Sequence, residues 1–198
     1  MSVLRKQIRR VQQSRLALLV TSAVVIGFIQ HGQLATAGAP VTQVAPTVEA
    51  NHERLSGAYG IRYPGVARFK GIPYSAAPVG NLRWQAPRPH QPRAGAQNAR
   101  DFAAACFQDN YNSDWYRRVA GAFGLDVLPF SDPPFSEDCL YLNVWTPALD
   151  AGAGLPVMVW IHGGSNKAGW ACEPNYHGEN LAARGRGVVV SIAYRLGV

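Results

Sequence analysis

Two short apolar runs separated by a helical pattern dominate the second half of the chain. Val157–Ile161 (VMVWI) is wholly apolar, which favours a strand buried on both faces of a sheet. Glu173–Arg186 then has a helical pattern, and Val188–Tyr194 (VVVSIAY) is a second apolar strand. Strand, helix and strand in this order predict a βαβ unit with parallel strands. Leu140–Trp145 (LYLNVW) is rich in β-favouring residues and is predicted as a further strand. The residues expected on the buried side of the helix are Tyr176, Leu181 and Ala182.

The first half of the chain is predicted to begin with an antiparallel hairpin. Residues 54–74 alternate apolar or aromatic positions with glycine and proline, and Pro64-Gly65 separates the two halves. Residues 75–98 are rich in proline, arginine and glutamine, which is typical of a surface loop, and a helical period follows over Tyr111–Leu125. A hairpin followed by a βαβ unit predicts the α/β fold class, with a mixed, mostly parallel sheet.

The N-terminus has the layout of an export signal. A basic leader precedes Leu16–Ile29, which has 14 residues without a charge, and Ala35-Thr36-Ala37 is a cleavage site of the A-x-A type. The apolar run is shorter than the ~18 residues expected of a spanning helix. We therefore expect a signal peptide over residues 1–37, a linker over 38–53 and one domain over 54–198. The predicted location is secreted or periplasmic with no stable membrane partner after cleavage, and an uncleaved N-terminal membrane anchor is the alternative.

The net charge of +7 arises mostly from this leader. Residues 1–37 hold five basic and no acidic residues, whereas the remainder has 14 basic and 12 acidic residues, a net charge of +2. No basic stripe is left to follow a phosphate backbone, so no nucleic-acid partner is expected.

The cysteines and histidines give no metal-binding pattern. The five histidines are scattered, no C-x-x-C motif occurs, and we expect neither a metal nor a cofactor. An exported chain favours disulfides. With Cys106, Cys139 and Cys172, the sequence alone allows any one of three pairs and leaves one thiol over.

The segment that leaves the strand at Ile161 is the candidate for chemistry. Ligands of open α/β sheets lie beyond the carboxyl ends of the strands, where His162-Gly163-Gly164-Ser165 follows. Paired glycines allow a sharp turn that exposes successive backbone N–H groups, and such groups stabilise a developing oxyanion. Dinucleotide and P-loop motifs are absent, and Ser165 is not in a G-x-S-x-G frame because Lys167 stands at the last position.

Several ordered segments resemble the type-B carboxylesterase family, which includes the cholinesterases, over roughly residues 54–198. The cysteine-containing segment SEDCLYLNVWTP is the most specific of them. The matching segments are Phe69–Tyr74 (FKGIPY), Pro78–Trp84 (PVGNLRW), Cys106-Phe107-Gln108, Ser136–Pro147 (SEDCLYLNVWTP), Leu155–Gly164 (LPVMVWIHGG) and Val188–Gly197 (VVVSIAYRLG).

The resemblance implies roles for eight residues. It implies the N-terminal part of an α/β-hydrolase fold and a small-molecule ester substrate. In this reading Gly164 and Ser165 are the backbone donors of the oxyanion hole, and His162 and Gly163 shape the loop. The structural residues that it implies are the disulfide pair Cys106 and Cys139, with Cys172 free, and the ion pair Arg83 and Glu137.

The chain departs from the family pattern in four places, one of which is the segment Asn166–Asn175 (NKAGWACEPN). Ser165 stands where the family has a third glycine, and a Cβ there restricts the backbone. No residue matches the choline-binding tryptophan, because Trp115 is in the wrong place. The family's nucleophile elbow, acid and catalytic histidine are all absent, so the chain is expected to be truncated before the elbow.

These features together predict an exported serine ester hydrolase, of which this chain holds the oxyanion loop without the catalytic triad. The chain by itself is expected to be inactive. Two alternatives remain: a non-catalytic, cholinesterase-like binding module, and a decayed fragment with no function of its own.

Overall fold

Ten strands and two α-helices form in residues 43–125 and 131–197, which are the residues that the computed structural model describes. The signal predicted over residues 1–37 lies outside them. Within these residues no helix is both long and apolar enough to cross a membrane. The elements are β1 (Thr47–Ala50), β2 (Glu53–Ser56), β3 (Ala58–Tyr59), β4 (Ala67–Pro73), β5 (Ala96–Asn98), β6 (Ala105–Cys106), α1 (Tyr111–Ala122), β7 (Phe135–Ser136), β8 (Tyr141–Thr146), β9 (Val157–Ile161), α2 (Glu179–Gly185) and β10 (Val188–Ile192).

A five-stranded sheet in the order β3-β4-β8-β10-β9 positions the candidate loop. The predicted hairpin is confirmed as β3 and β4, and the pairs β4–β8 and β8–β10 are also antiparallel. β9 and β10 are parallel and are connected through α2, which confirms the predicted βαβ unit. The sheet is mixed, as expected. The sequence predicted a mostly parallel sheet, but fewer of its strand pairs are parallel than expected. The three strands of this sheet that come before β9 in the chain form the antiparallel pairs β3–β4, β4–β8 and β8–β10.

β1 and β2 form a hairpin within the predicted linker. Residues 38–53 are expected from the sequence to connect the signal to the domain, but Thr47–Ala50 pairs with Glu53–Ser56. Asn51 and His52 both have positive φ, 48° and 61°, as two-residue hairpin turns favour. Sequence patterning misses this hairpin because the turn lacks the usual glycine.

β9 lies at the edge of the sheet and is exposed. Its five side chains are 44–63% exposed, so the expectation of burial on both faces is wrong for the described residues. The reason is its edge position: α2 packs mainly over β8 and β10, and Tyr176 of the 3-10 turn before α2 contacts β9 only at Trp160 among the ring contacts of the described residues. Its carboxyl end therefore leads into a loop beside the sheet edge.

The two helices were both expected from the sequence. The helix predicted over Tyr111–Leu125 is confirmed as α1. α2 is shorter than its pattern because Pro174 opens a separate 3-10 turn before it. Ala182 is fully buried against Trp145 and Val189, as predicted, whereas Leu181 is 54% exposed and faces away from the sheet, contrary to prediction.

Candidate functional site

The loop after β9 closes on itself through a glycine that no other residue can replace without strain. Gly164 has φ +123°, and a Cβ at that position would overlap the carbonyl oxygen of Ala168. The Gly164 carbonyl oxygen accepts hydrogen bonds from the amides of Lys167 at 3.0 Å and Ala168 at 3.1 Å. Ser165 and Asn166 continue the turn with φ of 56° and 58°. The backbone therefore makes a tight turn immediately after the strand.

This turn leaves several successive backbone donors available. Among the described residues, the amides of Gly164 and Ser165 make no hydrogen bond, and neither do those of Gly163 and Asn166, so the resemblance and not the bonding pattern singles out the first two. Gly164 is half-buried and Ser165 is exposed, and neighbouring unpaired amides in a fixed turn are suited to bind an anionic oxygen. Ser165 keeps its amide although its backbone is in a left-handed conformation that favours glycine.

His162 packs at the start of the loop as a buried residue. Its ring stacks on Tyr194 with ring centroids 4.4 Å apart, and the Tyr194 hydroxyl donates to the His162 carbonyl oxygen at 2.5 Å. Nδ1 lies 2.9 Å from the carbonyl oxygen of Gly163. Burial lowers the pKa of His162 below 6.5, outweighing the Gly163 hydrogen bond, which raises it. A neutral, stacked imidazole fixes the path of the chain between β9 and Gly163.

Gln108 holds the far end of the loop and had no role in the sequence interpretation. Its Oε1 accepts from the Gly169 amide at 2.8 Å, and its Nε2 donates to the Gly169 carbonyl oxygen at 2.9 Å. The residue stands two positions after Cys106, in a block already recognised. No pattern in a single sequence indicates that a glutamine side chain will hydrogen-bond the backbone of a distant loop.

A buried polar network lies under the chain that returns from the loop. The Ser191 hydroxyl donates to the Ala171 carbonyl oxygen at 3.0 Å and accepts from the Asn143 amide at 3.0 Å. Asn143 Oδ1 accepts from the Gly71 amide at 3.0 Å. β4, β8 and β10 are thereby tied to the loop through side chains that are almost fully buried.

Glu173 connects the same return segment to α1. Its carboxylate is 2% exposed and accepts from Asn112 Nδ2 at 3.0 Å and from the Tyr116 hydroxyl. Burial, and then the hydrogen bond to Glu173, raise the pKa of Tyr116. The phenol therefore stays protonated and remains a donor at neutral pH.

The four other site residues implied by the resemblance lie together on one side of this loop. A disulfide joins Cys106 and Cys139, and Arg83 Nε lies 3.0 Å from Glu137 Oε1. All four line one cavity of about 270 Å³, and Gln108 lines it as well. The ion pair is half-exposed, so its contribution to stability is small, about 0–1 kcal/mol.

Cys172 is the free cysteine, as the resemblance implied. Burial raises the pKa of its thiol to about 11. A thiol in that state is almost entirely protonated at neutral pH and is a poor nucleophile.

The comparisons with known proteins agree on one family. The model of the carboxylesterase family matches residues 44–198. Phenmedipham hydrolase of Pseudarthrobacter oxydans is 44% identical over 133 residues, which are 67% of this chain and 25% of that protein. The liver carboxylesterase of Sus scrofa is 40% identical over 171 residues, which are 82% of this chain and 28% of that protein.

Solved structures give the same result. A thermophilic pNB esterase aligns with a TM-score of 0.64 and 36% identity over 76% of this chain and 28% of that chain. The α/β-hydrolase fold expected from the resemblance is thereby confirmed. The chain spans about a quarter of the length of the curated relatives described above.

Proposed function

The chain belongs to the carboxylesterase family, and on that premise we propose that it supplies the oxyanion-hole segment of an exported serine ester hydrolase. The observation that carries the proposal is the turn at Gly164. Its backbone conformation excludes a side chain, and the consecutive amides of Gly164 and Ser165 make no hydrogen bond among the described residues.

The turn is suited to acyl transfer because its donors are fixed before charge develops. Attack on an ester carbonyl turns the carbonyl oxygen into an oxyanion, and preorganised amides stabilise it without further reorganisation. Each such donor contributes ~3–4 kcal/mol of transition-state stabilisation. His162 and Gly163 act in this scheme by fixing the turn, since the buried imidazole is neutral and hydrogen-bonded to backbone.

The substrate class is a small-molecule carboxylic ester. In the whole enzyme a serine attacks the carbonyl carbon, the alcohol leaves, and water releases the acyl group from the acyl-enzyme. The 198 residues contain no G-x-S-x-G elbow, so the chain by itself contributes the donors and not the nucleophile.

Export is supported by two features of the chain. Residues 1–37 have the layout of a signal peptide, and the domain carries a disulfide, which persists in oxidising compartments. Fusing residues 1–53 to a reporter that is active only after export tests the proposal. Mass spectrometry of the product then distinguishes cleavage after Ala37 from an uncleaved membrane anchor.

A chimera tests the oxyanion role. Residues 44–198 replace the matching segment of the thermophilic pNB esterase, which supplies the rest of the fold. We expect this chimera to hydrolyse p-nitrophenyl butyrate and the matched Gly164→Ala chimera to lose most of that activity. A chimera that folds cooperatively but hydrolyses no ester contradicts the proposal.

The second candidate function is a non-catalytic binding module of the same family. Ser165 favours it, because the family has a third glycine there and the serine is in a left-handed conformation, with φ 56°. The two functions differ in one measurement: a Ser165→Gly chimera that gains activity from an inactive parent indicates a loop that has lost its catalytic geometry.

A further inference from the structure

We propose that Gln108 is a positioning residue for the oxyanion-hole loop, acting through the backbone of Gly169; this inference rests on the proposed function. Gln108 lies outside the loop, in the segment that follows the disulfide cysteine Cys106. It holds the loop's distal end in place while Gly164 and Ser165 present their amides at the proximal end.

The side-chain amide of Gln108 uses all of its donors on backbone. Its Nε2 donates to the carbonyl oxygens of Gly169 at 2.9 Å and Cys106 at 3.1 Å, and its Oε1 accepts from the Gly169 amide at 2.8 Å. A pair of bonds to one residue's N–H and C=O fixes both the position and the orientation of that peptide. The third bond ties the clamp back to its own segment.

Gly169 transmits this constraint to the start of the loop. Its φ is +111°, and a Cβ there would lie 2.5 Å from His162 Nδ1 and 2.6 Å from the Gly163 carbonyl oxygen. The Gly169 backbone is therefore in direct contact with the two residues that precede the donors. A displacement of Gly169 moves His162 and Gly163, and with them the orientation of the Gly164 amide.

The segment that carries Gln108 is itself rigidly anchored. Cys106 ends β6, which pairs with β7, and its disulfide joins it to Cys139, two residues before β8. Cys106 and Cys139 are 4% and 2% exposed. The constraint therefore runs from the disulfide through Gln108 and Gly169 to the donors, which gives the disulfide a second role beyond stability.

Two substitutions of Gln108 distinguish a role in positioning the loop from a role in packing alone. Gln108→Ala removes the clamp. Gln108→Glu keeps Oε1 as an acceptor, but the ionised carboxylate places a second oxygen against the carbonyl oxygens of Gly169 and Cys106. Protonating that carboxylate restores a donor, so this variant should regain its function as the pH falls. The matched control is Gln97→Ala, since Gln97 Nε2 also donates to two backbone carbonyls, at 3.0 and 3.2 Å, but at an exposed turn.

The first arm of the experiment measures amide hydrogen exchange by NMR on the 198-residue chain. Lys167 and Ala168 report on the turn because their amides bond to Gly164. We expect Gln108→Ala to lower their protection factors at least tenfold while the protection of β8 and β10 stays within twofold. We expect Gln108→Glu to show the loss at pH 7 and to recover near pH 4. Unchanged protection, an equal loss throughout the sheet, or the same effect from Gln97→Ala overturns the proposal.

The second arm measures ester hydrolysis in the chimera described above. We expect Gln108→Ala to lower kcat at least tenfold with KM within twofold, because the clamp orients donors that act on the transition state. An active chimera whose kcat does not respond also overturns the proposal. If the parent chimera folds but is inactive, the proposed function fails. The exchange measurement still decides whether Gln108 holds the loop. If the amides of the isolated chain show no protection, the measurement is made on the chimera instead.

Discussion

The carbonyl oxygen of Ala168 occupies the space that a Cβ on Gly164 would need. Gly164→Ala must therefore open the turn or move Ala168. We expect the chimera carrying it to lose about 10²–10³ in kcat, as for the loss of an oxyanion donor. We expect the free energy of unfolding of the isolated chain to fall by about 1–3 kcal/mol. Gly163→Ala is the control for stability, because its Cβ meets no atom within 4 Å. Initial-rate kinetics on the chimera measure the loss of kcat in Gly164→Ala, and urea unfolding compares the stability of the two variants. Equal losses of stability in both would contradict the prediction.

Ser165 occupies a backbone conformation that costs a residue with a side chain about 1 kcal/mol. Ser165→Gly relieves this cost and keeps the amide, so we expect the free energy of unfolding of the chain to rise by about 0.5–1 kcal/mol and the esterase activity of the chimera to be retained. Asn166→Gly is the matched control: its φ of 58° is close to the 56° of Ser165. Asparagine tolerates this region better than serine, so its gain should be smaller. A loss of stability in the Ser165 variant alone would show that the serine side chain contributes contacts of its own.

Glu53 makes stability depend on acid pH. Burial raises the pKa of its carboxyl, but hydrogen bonds from Arg93 and His90 outweigh burial and bring it from 4.5 to about 2. Because the folded pKa lies below the unfolded value, the stabilisation is present above pH 4.5 and is lost as the pH falls from 4.5 toward 2. We expect it to amount to roughly 1–2 kcal/mol, since half-exposed Arg93 is screened by water.

Urea unfolding at pH 7 and pH 3 measures this contribution. Glu53→Gln should remove part of the difference between the two pH values. Glu49→Gln should leave it nearly unchanged, because the Glu49–Arg54 pair is about 60% exposed on both sides. A Glu53→Gln chain with the same pH dependence as the parent would show that other carboxyls are responsible.

Reduction of the disulfide should destabilise the chain. Cys106 and Cys139 are 33 residues apart in sequence, and closing a loop of that length contributes ~3–4 kcal/mol in a chain-entropy estimate. We expect the urea midpoint to fall on reduction and the count of reactive thiols in denaturant to rise from one to three. Cys172→Ser, which leaves the disulfide intact, should lower stability far less. If the chain that has not been reduced already shows three reactive thiols in denaturant, the disulfide is absent in solution.

The isolated 198-residue chain should not turn over esters. It contains no G-x-S-x-G elbow, so hydrolysis of a chromogenic short-chain ester should equal the buffer rate and should not respond to a serine-directed organophosphate. A denatured sample of the same chain is the control. Inhibitor-sensitive turnover would require a nucleophile elsewhere in these residues.

The sequence predicts those parts of the fold that depend on local patterning. The hairpin, β8, β9, β10, α1 and the βαβ unit follow from hydrophobic period and turn residues, and each forms where it is expected. The β1–β2 hairpin does not follow, because Asn51 and His52 adopt positive φ without the glycine that usually signals such a turn. The exposure of β9 does not follow either, since composition gives the apolar character of a strand and not its neighbours.

The candidate site likewise contains residues that the sequence predicts and residues that only the structure shows. His162, Gly163, Gly164 and Ser165 are contiguous, so a local motif predicts them together. Gln108 contacts the loop at Gly169, 61 residues further along the chain, and Glu173 in the return segment contacts Asn112 of α1 across the same separation. Contacts of this kind depend on the tertiary fold and leave no periodic signal in a single sequence. That Leu181 is exposed while Ala182 is buried has the same origin, because sheet geometry decides which face of α2 is covered.

The exposed edge strand also governs how this chain behaves in concentrated solution. Val157–Ile161 presents apolar side chains on both faces and a row of backbone groups with no partner among the described residues. An open edge of this composition is a template for intermolecular β-pairing. We therefore expect the isolated chain to associate through these five residues immediately before the candidate loop. The strand that leads into the candidate loop is thus also a surface on which two copies of the chain can pair.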